Sequence, residues 1–354
     1  MKIIVAGDFA PRARLAKQIE ERKFSEVFPE DVRKVIKSAD FSLVNFESPV
    51  AEAGYQPIPK CGPNLSCTPE AAEAVRYAGF TGVTMANNHI LDYGAEGLRK
   101  SIECCKDQGL DVVGVGDNLN EAEKILYLEK EGKKLAIINC CEHEFSIASD
   151  TTAGANPLNP IRQYYAIQEA KKQADYVLVI VHGGHEHFQL PSPRMQETYR
   201  FFVDAGADAV VNHHQHCYSG YEVYNGKPIF YGLGNFCFDR PGKVSKWNEG
   251  YLVVLDTLDS TFMVIPYNQC AYTPSVRLLH DTIEFKKQLN ELNSIIENQK
   301  NLCSVFDEFV KKRKKAYRAK LSPYSNIYLR ELAERGFIPS FVSDKKIVEI
   351  INYM

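Results

Sequence analysis

The chain has 354 residues, enough for one large domain or two modest ones, and its 45% hydrophobic content is ordinary for a globular protein. The formal net charge of −3 gives no electrostatic reason to expect nucleic acid as a partner. The opening MKIIVAGD predicts a buried strand rather than a signal peptide, and no segment is long and apolar enough to span a bilayer. We therefore expect a cytoplasmic protein without a transmembrane segment, attached to a membrane only peripherally through a partner complex.

Strands and helices alternate through the first two-thirds of the chain, which is typical of an α/β fold. The predicted strands are Ile3–Ala6, Phe41–Phe46, Phe80–Met85, Asp111–Val115, Tyr176–Val181, Asp208–Val211 and Pro228–Leu233. The predicted hairpins pair Ile125–Leu128 with Lys134–Asn139 and Tyr251–Asp256 with Thr261–Ile265. The predicted helices are Pro29–Ala39, Thr68–Gly79, Gly94–Gln108 and Ser192–Gly206. We expect Thr68 to cap the second helix, with Pro69 at its first position and Gly79 at its end.

The composition changes near Leu278, after which the chain is heavily charged. Two long helices are predicted there, over Asp281–Lys300 and Ser304–Lys320. A last helix is predicted over Asp344–Tyr353, with Ser343 as its N-cap.

These changes divide the chain into a layered α/β domain over 1–277 and a helical C-terminal extension over 278–354. The basic run Lys311–Lys320 is interpreted as a solvated helix face. Contact with an acidic polymer or a membrane surface is the alternative interpretation of that run. The loop Ala51–Cys67 is rich in glycine and proline, and we expect it to lie near the functional site and shape access to it.

The chain has 10 cysteines, and four of them form the adjacent pairs Cys104-Cys105 and Cys140-Cys141. Both pairs fall in predicted regular structure, where neighbouring side chains point in different directions and rarely bridge. We therefore interpret most cysteines as buried thiols of a reducing compartment.

Histidine is concentrated in two runs, VHGGHEH at Val181–His187 and NHHQH at Asn212–His216. With His89 they hold seven of the nine histidines. Neutral imidazole is the commonest transition-metal ligand, and sites that mix it with carboxylates hold Zn, Mn or Fe. We predict a metal site assembled from several loops. Polar loops that happen to contain histidine are the alternative, which the acidic residues upstream make less favourable.

Six side chains with metal-binding atoms lie at or just past the C-terminal ends of predicted strands, where ligand sites gather in layered α/β folds. These candidate ligands are Asp8, Glu47, Asn88, His182, His214 and His216. The mixture of three oxygen ligands and three imidazoles suits one or two divalent ions, with Mn, Zn or Fe as candidates. If two ions bind, one carboxylate bridges them and the pKa of a shared water falls.

His89 follows the candidate ligand Asn88 directly, so its side chain is free to face a leaving group. We predict that His89 is a general acid and that Asp92, three residues later, orients its imidazole. Other histidines are assigned lesser roles: His185 and His187 line the mouth of the site without binding metal, and His213 is either satisfied by the backbone or on the surface. His143, which lies between Glu142 and Glu144, and His280 are interpreted as structural.

The order of these motifs resembles the CapA family of capsule and poly-gamma-glutamate biosynthesis proteins, within the metallophosphoesterase superfamily. The matching segments, in chain order, are Gly7-Asp8, Asn45-Phe46-Glu47, ANNHILDYG at Ala86–Gly94, HGGHE at His182–Glu186, GADAVVNHHQH at Gly206–His216 and GLGNF at Gly232–Phe236. The resemblance covers roughly residues 1–265 and implies a calcineurin-like αββα fold. It also implies that Glu47 stands at the bridging place and that Glu186 is either a ligand or a partner of one.

This chain also departs from the usual phosphoesterase pattern. Ala10 stands where a histidine is usual in the first block, and Glu47 replaces an aspartate. We therefore expect one tightly held ion and a second that is partial or absent.

The resemblance implies a metal-dependent hydrolase acting on an exopolymer or on its phosphorylated or amide-linked precursor. The mechanism would be attack by a metal-activated water, with His89 protonating the leaving group. The alternative is a non-hydrolytic accessory subunit that binds the polymer or its synthase complex through the same pocket. Ala10 favours the accessory subunit, whereas His89 beside Asn88 favours the enzyme.

Overall fold

The computed structural model describes residues 1–242 and 244–321, together with positions 332, 335 and 346. Apart from Lys346, the predicted last helix Asp344–Tyr353 and its cap Ser343 lie outside the described residues. The strands are β1 (Lys2–Phe9), β2 (Phe41–Phe46), β3 (Gly82–Thr84), β4 (Asp111–Val113), β5 (Val115–Gly116), β6 (Leu126–Lys130), β7 (Lys133–Cys141), β8 (Gly154–Ala155), β9 (Tyr176–His182), β10 (Ala209–His213), β11 (Tyr221–Tyr224), β12 (Lys227–Phe230), β13 (Asn235–Cys237), β14 (Glu249–Asp256), β15 (Thr261–Gln269) and β16 (Val276–Leu278). The helices are α1 (Arg14–Glu20), α2 (Phe24–Val27), α3 (Glu30–Ile36), α4 (Glu70–Ala78), α5 (Gly94–Asp107), α6 (Leu119–Ala122), α7 (Pro160–Gln173), α8 (Pro193–Asp204), α9 (Ile283–Glu297) and α10 (Gln299–Leu321).

Two large sheets form the centre of the fold. The first has the strand order β16-β15-β14-β1-β2-β3-β4, and β13 also pairs with β1. The second has the order β11-β12-β10-β9-β7-β6. The strands β1 to β4 run parallel, as do β7, β9, β10 and β12. Parallel neighbours need crossover connections, and these place helices over the outer faces of both sheets.

The apolar side chains form three layers. Side chains alternate between the two faces of a strand, so β1 directs Val5 to the centre between the sheets and Ile4 to the outer face of the first sheet. In β9, Leu178 faces the centre and Val179 packs with residues of α7 and α8. The result is a four-layer helix–sheet–sheet–helix arrangement, which confirms the predicted αββα fold class.

The strand register brings candidate site residues side by side. Asp8 of β1 pairs with Asn45 in β2 and with Asn235 in β13. In the second sheet, His213 of β10 pairs with His182 of β9. The ends of β1, β2, β9 and β10 therefore bring residues that are far apart in the chain to one edge of the sheets.

Some of the observed helix boundaries agree with those predicted from the sequence. Gly79 ends α4 in the left-handed region, with φ of 109°, and Ser192 caps α8 by accepting a hydrogen bond from the Met195 amide at 3.1 Å. The cap predicted at Thr68 is wrong, because α4 begins one residue later, with Pro69 as its N-cap and no side-chain cap. The helix α7 was not predicted, although Asn159 caps it ahead of Pro160.

The described part of the C-terminal extension packs on the paired sheets. Leu302, Phe306 and Val310 of α10 join the apolar layer outside the second sheet, and Phe285 and Leu289 of α9 join the central layer. The division of the chain after residue 277 stays a prediction. Within the part of the chain that the structure describes, no helix has the length and apolar character needed to cross a membrane.

All ten cysteines have free thiols. The pairs Cys104-Cys105 and Cys140-Cys141 are buried in α5 and β7, where adjacent side chains point in different directions. Burial raises the pKa of the Cys105 and Cys140 thiols, which keeps them protonated and unreactive.

Close contact between β1 and the turn before β13 depends on Gly7. A Cβ atom at this position would overlap the carbonyl oxygen of Gly234 and lie 3.3 Å from the Phe236 backbone nitrogen. Because both neighbours are backbone atoms, Gly7→Ala should lower the free energy of unfolding by about 1–3 kcal/mol, measured by urea denaturation. Gly183→Ala is the control, since its Cβ would meet nothing nearer than 3.5 Å. Equal stability of the two variants would show that β1 and β13 can separate freely.

Candidate metal centre

The structure brings all six predicted ligand side chains together at one edge of the paired sheets, and each of them is buried. Two groups of ligand atoms form there, and in each group the atoms lie within 4.8 Å of one another. One group is Glu47, His182 and His214; the other is Asp8, Glu47 and His216. Glu47 belongs to both, and its Oε1 lies 3.8 Å from the Nε2 atoms of His182 and of His216. This shared place suits a carboxylate that bridges two ions.

The ligand atoms of the first group converge closely. His182 Nε2 lies 3.1 Å from His214 Nδ1 and 3.1 Å from Asn88 Oδ1. Asn88 is therefore placed to add an amide oxygen to this group. Its Nδ2 donates a hydrogen bond of 3.2 Å to Glu144, which fixes the orientation of the amide.

Three further residues hold the candidate ligands in place. Asn45 Nδ2 donates to Asp8 Oδ1 at 2.8 Å and lies 3.1 Å from His182 Nδ1. Asn235 Oδ1 lies 2.9 Å from His216 Nδ1 and leaves Nε2 to face Glu47. Glu144, interpreted from the sequence as structural, contacts Asn88 and with Glu142 and His214 forms a third group with metal-binding atoms.

The loop after β10 has an unusual backbone. His214 and His216 have φ angles of 91° and 55°, a region that residues with a side chain rarely occupy. The His214 amide donates to Asp8 Oδ2 at 3.2 Å, which anchors the loop to the first sheet. Strain of this kind costs about 1–3 kcal/mol per residue and is concentrated at functional sites.

Burial and neighbouring charges shift the pKa values of the site residues. Burial, together with the negative charge of Asp8, raises the pKa of Glu47 well above its usual range. Burial alone would lower the pKa of His216, but the carboxylates of Glu47 and Asp8 outweigh it and raise that pKa to about 9. Burial and the neighbouring His214 lower the pKa of His182 well below its usual value, which leaves a neutral ring able to bind a metal.

Both carboxylate oxygens of Glu47 are buried and have no hydrogen-bond partner. Burying a carboxylate without compensating contacts costs free energy, and in proteins such groups are usually paired with a cation or bound to a metal. The surrounding imidazole and carboxylate atoms are those that Zn, Mn and Fe prefer. The residues present therefore fit a divalent metal.

His89 belongs to a chain of buried polar groups beside the metal centre. Its Nδ1 lies 2.6 Å from Asp92 Oδ2, so Nε2 is the nitrogen available to a substrate. The Leu65 amide also donates to Asp92 Oδ2, at 2.6 Å, and Lys60 forms an ion pair with the same carboxylate. Burial lowers the pKa of His89, and Asp92 offsets part of that effect. Lys60 lies in the loop Ala51–Cys67, so this loop contributes a buried cation behind the imidazole.

A cavity of about 390 Å³ adjoins the centre and is lined by both His89 and His216. Its other walls include Arg12, Arg240 and Trp247. A substrate in this cavity would meet His216 of the second ligand group and His89 together.

The family model described as "Bacterial capsule synthesis protein PGA_cap" matches residues 2–240 of the chain. The chain belongs to this PGA_cap family. The match includes all six candidate ligands and His89 and Asp92, and it ends before β14.

Two Bacillus proteins are similar in sequence to this PGA_cap member. The capsule biosynthesis protein CapA of Bacillus anthracis is 36% identical over 248 residues, covering 68% of this chain and 60% of that protein. The PGA biosynthesis protein CapA of Bacillus subtilis is 35% identical over 231 residues, covering 64% and 60%. The chain thus spans about 60% of the length of these relatives. Among solved structures, a putative 5'-nucleotidase from Staphylococcus aureus is 15% identical, with a TM-score of 0.46 over 82% of this chain and 58% of that one.

The structure shows the surroundings of Ala10 and Glu186, the two positions whose roles the family resemblance left open. Ala10, in place of the usual histidine, packs in a small apolar group with Leu65 and Phe238. That corner of the PGA_cap site therefore offers no ligand. Glu186 is exposed, lines the cavity and is absent from all three ligand groups found among the described residues.

The other histidines differ in how well the sequence anticipated them. His213 is buried rather than on the surface, and its Nε2 lies 2.9 Å from the Ala6 carbonyl oxygen, so the backbone satisfies one of its two ring nitrogens. His187 lines the cavity, as predicted. The placement of His185 at the mouth is wrong, because its ring is buried against Phe306 and Phe309 of α10, 5.4 and 5.5 Å away between ring centroids.

Helix α10, which lies beyond the PGA_cap match, braces the loop that carries Glu186. Phe309 stacks on Phe188 with centroids 4.3 Å apart, and Arg313 donates to the Glu186 carbonyl oxygen at 2.8 Å. Phe309→Ala should therefore speed amide hydrogen exchange in a peptide covering residues 183–190 by about tenfold or more. Phe201→Ala, which truncates a ring that is 39% exposed on α8, is the control. Unchanged exchange in the Phe309 variant would mean that α10 does not restrain the loop.

Proposed function

We propose that this chain is a metal-dependent, phosphoesterase-like hydrolase in capsule or poly-gamma-glutamate biosynthesis, acting on the exopolymer or on a phosphorylated or amide-linked precursor. One observation carries the proposal: Glu47, buried without a hydrogen-bond partner, is shared by two ligand groups beside a cavity that His89 also lines. Family membership and the names of the Bacillus relatives support the biosynthetic setting.

The two ligand groups define where metal would bind. Glu47, His182 and His214, with Asn88 beside them, would hold one ion, and Asp8, Glu47 and His216 would hold the other. Such an ion supplies Lewis acidity and lowers the pKa of water, which gives a nucleophile at neutral pH. Because Ala10 adds nothing to the Asp8 group, we expect the weaker ion there.

The protein's own groups position the proton transfer. Asp92 holds His89 at Nδ1, and Lys60 and the Leu65 amide hold Asp92 in turn. His89 Nε2 is thus kept towards the cavity, where it donates a proton to the departing oxygen or nitrogen of the substrate. Asn45 and Asn235 keep the ligand side chains in place while this happens.

A second candidate function is a non-hydrolytic accessory subunit that binds polymer or its synthase complex through the same cavity. The packing of Ala10 among Leu65 and Phe238 favours it, because one ligand position of the usual pattern is lost. Cytoplasmic residence and peripheral attachment to such a complex remain predictions that cell fractionation can test.

Activity assays separate the two functions. Metal-stripped protein would be reloaded with Mn²⁺, Zn²⁺ or Fe²⁺ and tested on an aryl phosphomonoester, an aryl phosphodiester and a gamma-glutamyl oligomer. The hydrolase predicts metal-dependent turnover of at least one substrate that falls on chelation. A fully metal-loaded protein that turns over none of them, yet binds the oligomer, would favour the accessory subunit.

A further inference from the structure

The cavity beside the metal centre presents two arginines that lack an acidic partner. Among residues 1–242 and 244–321, neither Arg12 nor Arg240 forms an ion pair, although both are exposed and line the cavity. Arg14 makes the contrast clear, since it is paired with the buried Asp239 at 2.7 Å. The acid closest in sequence to Arg240 is therefore already engaged.

Aromatic rings hold these arginines in place. The Arg240 guanidinium lies 5.2 Å from the centre of the Trp247 ring, and that of Arg12 lies 5.9 Å from the centre of Phe238. The two rings are fixed against each other, with centroids 4.8 Å apart, and Trp247 Nε1 donates to the Phe238 carbonyl oxygen at 2.7 Å. A guanidinium restrained over a ring keeps its N–H groups available at its edge and loses less entropy when an anion binds.

The rings of Trp247 and Phe238 lie next to the metal centre. Trp247 and Phe238 both contact the His216 ring, with centroids 4.8 and 5.1 Å away. An anion on the arginines would therefore lie next to the group being hydrolysed, on the same molecule. Glu186 is the exposed acid of this cavity, and among the described residues it forms no ion pair with either arginine. Its negative charge repels anions from the side of the cavity that it lines.

We infer that Arg12 and Arg240 bind a second anionic group of the substrate, a carboxylate or a phosphate, so that the substrate is a polyanion. The inference rests on the proposed function, because it places the substrate in the same cavity. Guanidinium groups pair with carboxylate and phosphate oxygens through two parallel hydrogen bonds, so either source fits their chemistry.

Trp247 makes the test direct, since it is the only tryptophan in the chain. The metal-loaded full-length protein would be titrated with a glutamate tetramer, with tripolyphosphate and with a glutamine tetramer as the uncharged match. Binding would be followed by calorimetry and by tryptophan fluorescence. We expect at least one of the anions to bind with saturation and the glutamine tetramer to bind at least about tenfold more weakly, because charge-assisted hydrogen bonds are lost. The tighter anion identifies a carboxylate or a phosphate as the source.

Variants assign the binding to the two arginines. The double variant Arg12→Gln/Arg240→Gln should weaken anion binding by about tenfold or more, whereas Arg277→Gln, an exposed arginine of β16 that does not line the cavity, should bind as the wild type does. Equal binding by the double variant, equal weakening in the control, or no anion binding at all would overturn the inference. Protein that binds the anion through these arginines but hydrolyses nothing would overturn the proposed hydrolase alone. Protein that hydrolyses an aryl phosphodiester but binds neither anion would overturn this inference alone.

Discussion

Replacing His89 by asparagine is expected to lower turnover of the metal-loaded protein by about 10²–10⁴-fold, the usual contribution of general acid–base catalysis. The substitution removes the nitrogen that faces the cavity, while none of the side chains in the two ligand groups changes. Metal content, measured by mass spectrometry of the purified protein, should stay near the wild-type value. A drop in turnover that accompanied loss of metal would show a structural effect instead.

Substrates that differ in their leaving group test whether His89 acts as the proton donor. A leaving group that departs readily as an anion needs little protonation, whereas an alkoxide needs it strongly. The loss caused by His89→Asn should therefore be larger for an alkyl phosphodiester than for a nitrophenyl phosphodiester. His143→Asn is the matched control, because His143 is exposed and its Nε2 hydrogen-bonds with the Leu158 carbonyl oxygen, away from the two ligand groups that share Glu47. Equal losses for both leaving groups would remove His89 from the role of proton donor.

Glu47→Gln is expected to abolish binding at both metal positions, because Glu47 is the residue that the two groups share. Metal at 100 times its dissociation constant stabilises a protein by about 2.7 kcal/mol, which raises Tm by roughly 3–5 °C for a chain of this size. Wild-type protein should show this rise with Mn²⁺ or Zn²⁺, and the variant should show none. The metal-free variant should unfold at the wild-type temperature or higher, since a buried carboxylate without a hydrogen-bond partner has been replaced by a neutral amide.

Controls separate the loss of a ligand from the loss of a charge. Glu103→Gln, which removes an exposed acid on α5, should keep the full metal response. His214→Ala and His216→Ala each affect only one of the two groups that share Glu47, so each should lose one binding event and keep part of the other. A Glu47→Gln protein that binds metal as tightly as the wild type would contradict the bridging role.

The convergence of the candidate ligands was predictable from the sequence because it follows a simple geometric rule. His182 ends a wholly buried strand and Glu47 directly follows another, and parallel strands end at a common edge. The predicted bounds of β2 also agree with the structure, since Phe41–Phe46 is mostly apolar and all but its first residue are buried. Local hydrophobic pattern was enough to place these residues.

The supporting residues could not be predicted in this way. Asn45 and Asn235 lie in motifs of the sequence, but their contacts depend on strand register, which places them beside Asp8 from 37 and 227 positions away. Lys60 lies in an irregular loop whose path depends on tertiary contacts. His185 was misplaced because its burial depends on α10, more than 100 residues later in the chain. For α7, by contrast, the Asn159-Pro160 pair is a local signal for a helix start that was overlooked.

Zinc anomalous diffraction from crystals of the zinc-loaded protein tests the metal centre most directly. We expect a strong peak about 2.0–2.2 Å from ligand atoms of Glu47, His182 and His214. We expect a weaker peak, or partial occupancy, at the group formed by Asp8, Glu47 and His216, where Ala10 supplies no ligand. Saturating zinc with no peak at either group, or peaks only at surface residues elsewhere, would contradict the central claim that Glu47 bridges two metal positions.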